Sequence, residues 1–278
     1  MKISGRTQLY GVVGNPVSHS LSPMIHNRWL QEQAIDAVYV PLRLSSTKVS
    51  EDLQALRRSG FMGLNVTLPH KLDAAQAASE RTDLVERIGA ANTLVGRDNG
   101  DWIAHNTDVE GLDRALGQLN IKAVSRKPIV VIGAGGAARA ASVTLERLGA
   151  IIRLINRTPE RAEEMAGDLG ISPEIGGLSD LQAFSEDAAL IVNSASFGHS
   201  GSIELQLSPG EGRPFFDMSY GPAAQNGLQI ASKAGWRAHD GLPMLVYQAA
   251  ASFRLWFNCE PDVEDALVRC RSAVSLGA

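Results

Sequence analysis

The sequence predicts two α/β domains, the second built on a parallel, doubly wound sheet. Three observations carry that expectation. Strand-like apolar runs alternate with amphipathic helical runs along most of the chain. A length of 278 residues suits two domains with a modest core each. The apolar run Ile129-Val130-Val131-Ile132 also passes at once into a glycine-rich turn and then a helix.

The elements follow in order. Tyr10-Gly11-Val12-Val13 is a short strand ending at Gly14. Pro23 to Gln33 is a helix, with Ser22 expected as its N-cap and Pro23 at its first position. Val38 to Leu42 is a second strand, and Thr47 to Ser59 a helix with Val49, Leu53 and Leu56 on one face and Gly60 as its stop. Gly63 to Thr67 is a third strand. Asn92 to Val95 and Trp102 to Asn106 flank Asp98-Asn99-Gly100, a hairpin signal. Asp108 to Leu119 reads as a helix, and Ser125-Arg126-Lys127-Pro128 as a polar break before a new unit. Beyond it come strand Ile129–Ile132, a helix to Leu148 stopped by Gly149, and strands at Ile151–Ile155, Leu190–Asn193 and Phe215–Met218. A long helix, Met244 to Phe257, is expected to pack back on the first domain.

Composition removes several classes of function. Hydrophobic residues make up 44% and charged residues 20%, and the formal net charge is -4. A basic surface for nucleic acid is therefore not expected. No run approaches the roughly 18 apolar residues that span a membrane. The first residues, Met1-Lys2-Ile3-Ser4-Gly5-Arg6, lack the apolar run of a signal peptide. Cys259 and Cys270 stand outside any CxxC pattern and read as reduced packing thiols, which with the preceding points implies the cytoplasm. His19, His26, His70, His105, His199 and His239 include no i, i+4 pair, so no metal is expected.

Val131-Ile132-Gly133-Ala134-Gly135-Gly136-Ala137-Ala138 has the spacing of a dinucleotide-binding turn. Gly133 permits the tight strand-to-helix turn, Gly135 lets the backbone approach a pyrophosphate, and Ala138 is small enough for close helix packing. The helix N-terminus offers free N–H groups to the phosphates. The next strand ends Asn156-Arg157-Thr158, with Arg161 one turn further, where an NAD enzyme carries a carboxylate for the ribose 2′-hydroxyl. A carboxylate repels a 2′-phosphate, whereas a guanidinium binds it through charge-assisted forks, so NADP is favoured over NAD.

Three polar clusters follow predicted strands in the first third: Asn15-Pro16-Val17-Ser18-His19-Ser20-Leu21-Ser22-Pro23, Asn65-Val66-Thr67-Leu68-Pro69-His70-Lys71, and Asn106-Thr107-Asp108. Open α/β sheets bind ligands at the carboxyl ends of their strands. Hydroxyls and amides there suit a polyhydroxylated substrate. Lys71 and Asp108 form an acid–base pair, as carbonyl reduction requires one proton at the oxygen when hydride arrives.

Taken in order, these segments resemble the shikimate dehydrogenase family. The resemblance runs from about Tyr10 to Phe257. It includes Gly14-Asn15-Pro16 through His26-Asn27, Asn65-Val66-Thr67 with Lys71, Gly89-Ala90-Ala91-Asn92-Thr93, Asn106-Thr107-Asp108, Gly133 to Ala137, Asn156-Arg157-Thr158, and Met244-Leu245-Val246-Tyr247-Gln248-Ala249. It implies reversible reduction of 3-dehydroshikimate to shikimate with NADPH, a step of chorismate and aromatic amino-acid synthesis. It also implies an α/β substrate-binding domain, residues 1–107 plus 244–278, and a Rossmann-type NADP domain, residues 108–243, with the active site in the cleft.

Carried over by position, Ser20, Ser22, Thr67, Asn92, Asp108 and Gln248 bind the substrate, with Tyr220 near it. Lys71 is the acid–base residue with Asp108 beside it. Gly133, Ala134, Gly135, Gly136 and Ala137 hold the pyrophosphate. Asn156, Arg157, Thr158 and Arg161 hold the adenosine phosphate, Met218 and Gly241 lie near the nicotinamide, and Asp83 matches a position near the cofactor. The chain departs from the family at Gln225, where Thr is usual, at His199, where an apolar residue is common, and at Pro243, where Gly is frequent. An acidic tip on the second strand would signal an NAD-preferring quinate/shikimate enzyme, and loss of Lys71 or Asp108 a silent NADP sensor. The sequence has neither feature. A monomer or homodimer acting on small molecules is expected.

Overall fold

The computed structural model describes residues 3–45, 47–121, 124–195 and 205–276. The chain divides into two compact units. One gathers the described residues of Met1–Gly111 and Leu245–Ser272, the other those of Leu112–Met244 and Ala273–Gly277.

In the first unit β1 (Gln8–Gly14), β2 (Ala37–Arg43) and β3 (Phe61–Val66) lie parallel, joined by α1 (Ser22–Glu32) and α2 (Val49–Arg58). Three short elements follow that the sequence reading did not separate: α3 (Lys71–Ala77), β4 (Glu80–Arg81) and α4 (Asp83–Ile88). α4 has clear local punctuation. The Thr82 hydroxyl accepts from the Val85 N–H, and Gly89 closes the helix at φ +69°. β5 (Thr93–Gly96) and β6 (Trp102–His105) form the antiparallel hairpin expected at Asp98-Asn99-Gly100, where Gly100 takes φ +89°. That hairpin makes the sheet mixed, in the order β2-β1-β3-β5-β6-β4. α5 (Asp108–Gln118) then begins directly after β6.

The N-terminus of α1 differs from the expectation. Ser22 is not the N-cap of α1. Leu21 occupies that position with φ -83° and ψ -6°, and no side chain caps the helix. An N-cap residue needs an extended backbone for its oxygen to reach back to the second or third amide. The chain is already helical at Leu21, so Ser22 enters the helix with its side chain buried.

The second unit is built on β7 (Pro128–Ile132), α6 (Gly136–Arg147), β8 (Ile151–Ile155), α7 (Pro159–Leu169), β9 (Glu174–Gly176), α8 (Leu181–Ser185), β10 (Leu190–Asn193), β11 (Pro214–Asp217), α9 (Pro222–Lys233) and β12 (Arg237–His239). Its strands are all parallel, in the order β12-β11-β10-β7-β8-β9. β7 lies inside the sheet, and the order reverses between β7 and β10, a topological switch point. β7 and β10 are near-continuous apolar runs because helices cover both faces of such a sheet.

α10 (Leu242–Phe257) and α11 (Val263–Ser275) end the chain. From Leu245 onward α10 belongs to the first unit. Its seat is made by Gly63, where a Cβ would stand 2.4 Å from the Trp256 indole. Glycine lets that ring reach β3, and its N–H donates to the Leu94 carbonyl at 3.1 Å. His26 and Tyr39 pack against it, and Trp29 and Phe253 pack against His26 in turn. Burial pushes the His26 imidazole down to about 3, so the ring is a neutral part of this core, stacked on Tyr39 at 4.3 Å.

Candidate active site

Three strand ends of the first unit converge on one polar cluster. Lys71 opens α3 after β3, Asp108 opens α5 after β6, and Asn92 sits just before β5. Lys71 Nζ donates to Asp108 Oδ2 at 2.5 Å, with 14% and 5% of the two side chains exposed. Each charge is thus largely withdrawn from water and matched by the other. Asn92 sets the carboxylate's second oxygen, donating through Nδ2 to Asp108 Oδ1 at 3.0 Å.

The orientation of that amide follows from the backbone. The Thr107 N–H donates to Asn92 Oδ1 at 2.7 Å, so the oxygen points to Thr107 and the nitrogen to Asp108. The same Nδ2 approaches Gln248 Oε1 at 3.2 Å, which brings α10 into the cluster. The Lys71 carbonyl accepts from the Ala91 N–H at 2.8 Å, tying the start of α3 to the segment carrying Asn92. Asp108 is first in its helix, yet its carboxylate faces Lys71 and Asn92. Asn106 Oδ1 instead accepts the Asp108 N–H at 3.1 Å.

Ser20 and Thr67 stand half-buried on loops at the ends of the neighbouring strands β1 and β3, and Ser22 is buried at the start of α1. Ser20 Oγ accepts the Ser22 N–H at 3.3 Å. A Cβ on Gly14 would meet Thr67 Cγ2 at 2.4 Å, so glycine is required for the two loops to lie so close. Asp83 is exposed at the start of α4, and Tyr220 follows β11 in the second unit. The sequence reading missed two hydroxyls bonded into the cluster, Thr93 and Ser252. A usable signal existed for Ser252, which lies four residues after Gln248 and so on the same helix face.

The second unit carries the glycine-rich loop in the expected place, between β7 and α6. Gly133 takes φ +116°, and a Cβ there would stand 2.5 Å from Ser194 Oγ. Gly135 is extended at the N-cap of α6, with open space where a side chain would project. The first amides of α6 have no partner within the helix and are available to an anion. Ala138 is fully buried against the sheet, as close helix packing requires.

At the tip of β8, Asn156 Nδ2 holds the Thr158 carbonyl at 2.8 Å, while Arg157, Thr158 and Arg161 are exposed. No ion pair engages either arginine among the described residues. Gly241 is pressed against the Met218 carbonyl, where a Cβ would come within 2.3 Å, and its N–H donates to the Ser219 carbonyl at 2.8 Å. Beneath Met218, Asp217 is buried, accepting from Asn193 Nδ2 and the Ser219 N–H, both at 2.8 Å. Burial pushes its carboxyl up to about 6. An open glycine cradle with exposed, unpaired arginines at the second strand fits a dinucleotide bearing an extra phosphate.

Gln225 is exposed on α9. Pro243 is the second residue of α10, where an amide has no helical partner and proline removes nothing. His199 lies outside the described residues. Both cysteines are free thiols.

A parallel sheet with a glycine-rich loop at its switch point, together with a buried lysine–carboxylate pair on a second α/β unit, defines a two-unit α/β dehydrogenase. Residues 12–94 match the family described as shikimate dehydrogenase substrate binding domain, and residues 241–266 the shikimate 5′-dehydrogenase C-terminal domain. An NADP(+)-type shikimate dehydrogenase of Hyphomonas neptunium is 46% identical over 268 residues, covering 96% of this chain and 98% of that one. The crystal structure of shikimate dehydrogenase from Aquifex aeolicus superposes with a TM-score of 0.85 at 30% identity, covering 96% and 98% of the two chains. The Thermus thermophilus enzyme, in complex with NADP(H) and shikimate, superposes with a TM-score of 0.80 at 30% identity, covering 96% and 99%. The chain belongs to the shikimate dehydrogenase family.

Proposed function

We propose that the chain catalyses the reversible NADPH-dependent reduction of 3-dehydroshikimate to shikimate, a step of chorismate and aromatic amino-acid biosynthesis. The observation that carries this reading is the buried Lys71–Asp108 pair, locked by Asn92 at the ends of adjoining strands. Family membership supports the substrate, as do the relatives named for NADP(+) and shikimate.

In the reduction, Lys71 Nζ delivers a proton to the carbonyl oxygen; in the oxidation, it takes the hydroxyl proton back. Asp108 orients the ammonium and balances its charge. Ser20, Ser22, Thr67, Asn92 and Gln248 bind the substrate's hydroxyls and carboxylate, with Tyr220 beside it. Residues 1–107 and 244–278 form the substrate domain and 108–243 the cofactor domain.

NADPH, when bound, supplies the hydride. Gly133, Ala134, Gly135, Gly136 and Ala137 hold its pyrophosphate, and Asn156, Arg157, Thr158 and Arg161 its adenosine phosphate. Met218 and Gly241 flank its nicotinamide, with Asp83 near the cofactor. Among the described residues no helix is long and apolar enough to cross a membrane. We read the protein as cytoplasmic, a monomer or homodimer with no nucleic-acid partner.

The test is purified protein with shikimate or quinate and NADP or NAD, followed at the nicotinamide absorbance. The fastest turnover is expected with shikimate and NADP. Turnover dominated by quinate and NAD would reassign the substrate and cofactor, and no turnover with any pair would point to a silent sensor.

A further inference from the structure

The polar cluster around Lys71 does not end at the groups facing the substrate. It continues inward to Ser252, a fully buried hydroxyl on α10. Ser252 Oγ lies 2.8 Å from Asn65 Nδ2, 2.8 Å from Thr93 Oγ1, 3.2 Å from Thr107 Oγ1 and 3.0 Å from the Gln248 carbonyl. A hydroxyl has one proton and two lone pairs, so these contacts use its full capacity. Asn65 is itself fixed, because the Tyr39 hydroxyl donates to its Oδ1 at 2.7 Å and leaves the amide nitrogen for Ser252.

The geometry points to Ser252 as a positioning residue for substrate binding, setting the register of α10 so that Gln248 and Asn92 present their amides in one arrangement. The inference rests on the activity proposed above. Ser252 and Gln248 are one helical turn apart on the same face. Gln248 Oε1 takes the Asn92 amide and its Nε2 donates to the Leu245 carbonyl at 2.8 Å, so its side chain is oriented from both ends. The aromatic contacts of Trp256 and Phe253 hold α10 on the unit, but apolar contact is non-directional. A directional group is needed to fix where along the sheet Gln248 falls, and Ser252 bonds to residues of β3 and β5 and to the segment between β6 and α5. Thr93 and Thr107 pass this constraint to Asn92, the first through its own donation to Asn92 Oδ1 at 3.1 Å and the second through the 2.9 Å contact with Nδ2.

The test is steady-state kinetics on Ser252→Ala, Gln248→Ala and the double variant, well below their unfolding temperatures. Ser252→Ala is expected to raise the KM for shikimate about tenfold, the loss of roughly one well-placed hydrogen bond. The KM for NADP should stay within about twofold, because that substrate meets other residues. In the Gln248→Ala background the same substitution should add less than about twofold, since residues acting through one another are not additive. If Ser252→Ala does not fold, Ser252→Cys keeps the volume with a weak donor and is read the same way. An unchanged shikimate KM, equal rises for both substrates, or fully additive losses would each overturn the positioning role. Wild-type protein that turns over no shikimate would overturn the activity and this inference with it. Active wild type with an indifferent Ser252→Ala would overturn the inference alone.

Discussion

Replacing Lys71 with Ala should separate chemistry from binding. The substitution removes the donor 2.5 Å from Asp108 and leaves the carboxylate, itself 5% exposed, with the Asn92 amide at 3.0 Å and the N-terminus of α5. General acid–base catalysis contributes about 10²–10⁴ in rate, so kcat should fall by that span. Breaking a buried ion pair costs about 3–5 kcal/mol of stability. The amide and the helix terminus still stabilise the remaining charge, which places the expected loss at about 3 kcal/mol. Shikimate KM should change far less, because Ser20, Ser22, Thr67, Asn92 and Gln248 remain. Asp108→Asn should also lower kcat, and the two losses should not add, since the groups act as a unit. The assay is kcat at saturating shikimate and NADP, with urea unfolding alongside. A Lys71→Ala enzyme with near-normal kcat and collapsed substrate affinity would make Lys71 an anchor and move the proton transfer elsewhere.

Three further outcomes follow from other parts of the molecule. Arg157→Ala should raise the KM for NADP by about tenfold or more, the worth of a charge-assisted contact, and leave that for NAD nearly unchanged; equal rises would remove the 2′-phosphate assignment. Ser22→Ala should raise the shikimate KM by about tenfold while the urea midpoint hardly moves, because Leu21 rather than Ser22 holds the cap position; a stability loss with normal kinetics would leave Ser22 a packing residue. Asp217, raised from 3.8 to about 6 by burial, holds its proton in the folded chain over a range where the unfolded chain has released it. Stability therefore falls as pH rises from about 4 to 6 and levels off above that, by about 3 kcal/mol in all. Asp217→Asn should flatten that fall in urea unfolding, and parallel pH profiles for the two proteins would refute it.

Much of this was legible in the residues. The loop Gly133–Ala138 was readable because its function depends on glycine placement between a strand and a helix, and both flanks carry strong periodic signals. The hairpin at Asp98-Asn99-Gly100 was readable because a tight turn needs a residue that tolerates positive φ, and Gly100 supplies it. α3 and α4 were not read, because six or seven residues are too few to establish a helical period. α11 was missed although Asp262 caps it, accepting the Asp265 N–H at 3.0 Å. Ser22 misled because a serine before Pro looks like a cap whether or not the chain is still extended there. Lys71, Asn92 and Asp108 could be named, but their mutual contact comes from the pairing of β3, β5 and β6, a property of the sheet rather than of any local spacing.

The cluster's internal satisfaction bears on selectivity. Among the described residues, no side-chain polar atom of the network from Asn65 to Asp108 is buried without a hydrogen-bond partner. Asn65, Thr93, Thr107 and Ser252 spend their hydrogen bonds on one another, and Asn92 spends its oxygen on Thr107. On the reading proposed above, what faces a substrate is a small set at the edge: the remaining protons of Lys71 Nζ, the amides of Asn92 and Gln248, and the hydroxyls of Ser20, Ser22 and Thr67. A site with so few donors discriminates by omission. A ligand that lacks one hydroxyl leaves a donor desolvated and unmatched, and such sites reject the deficient analogue more strongly than apolar pockets reject a missing methylene. The buried network thus supplies the rigidity that makes each remaining group count, which is why its interior hydroxyls matter to a reaction they do not touch.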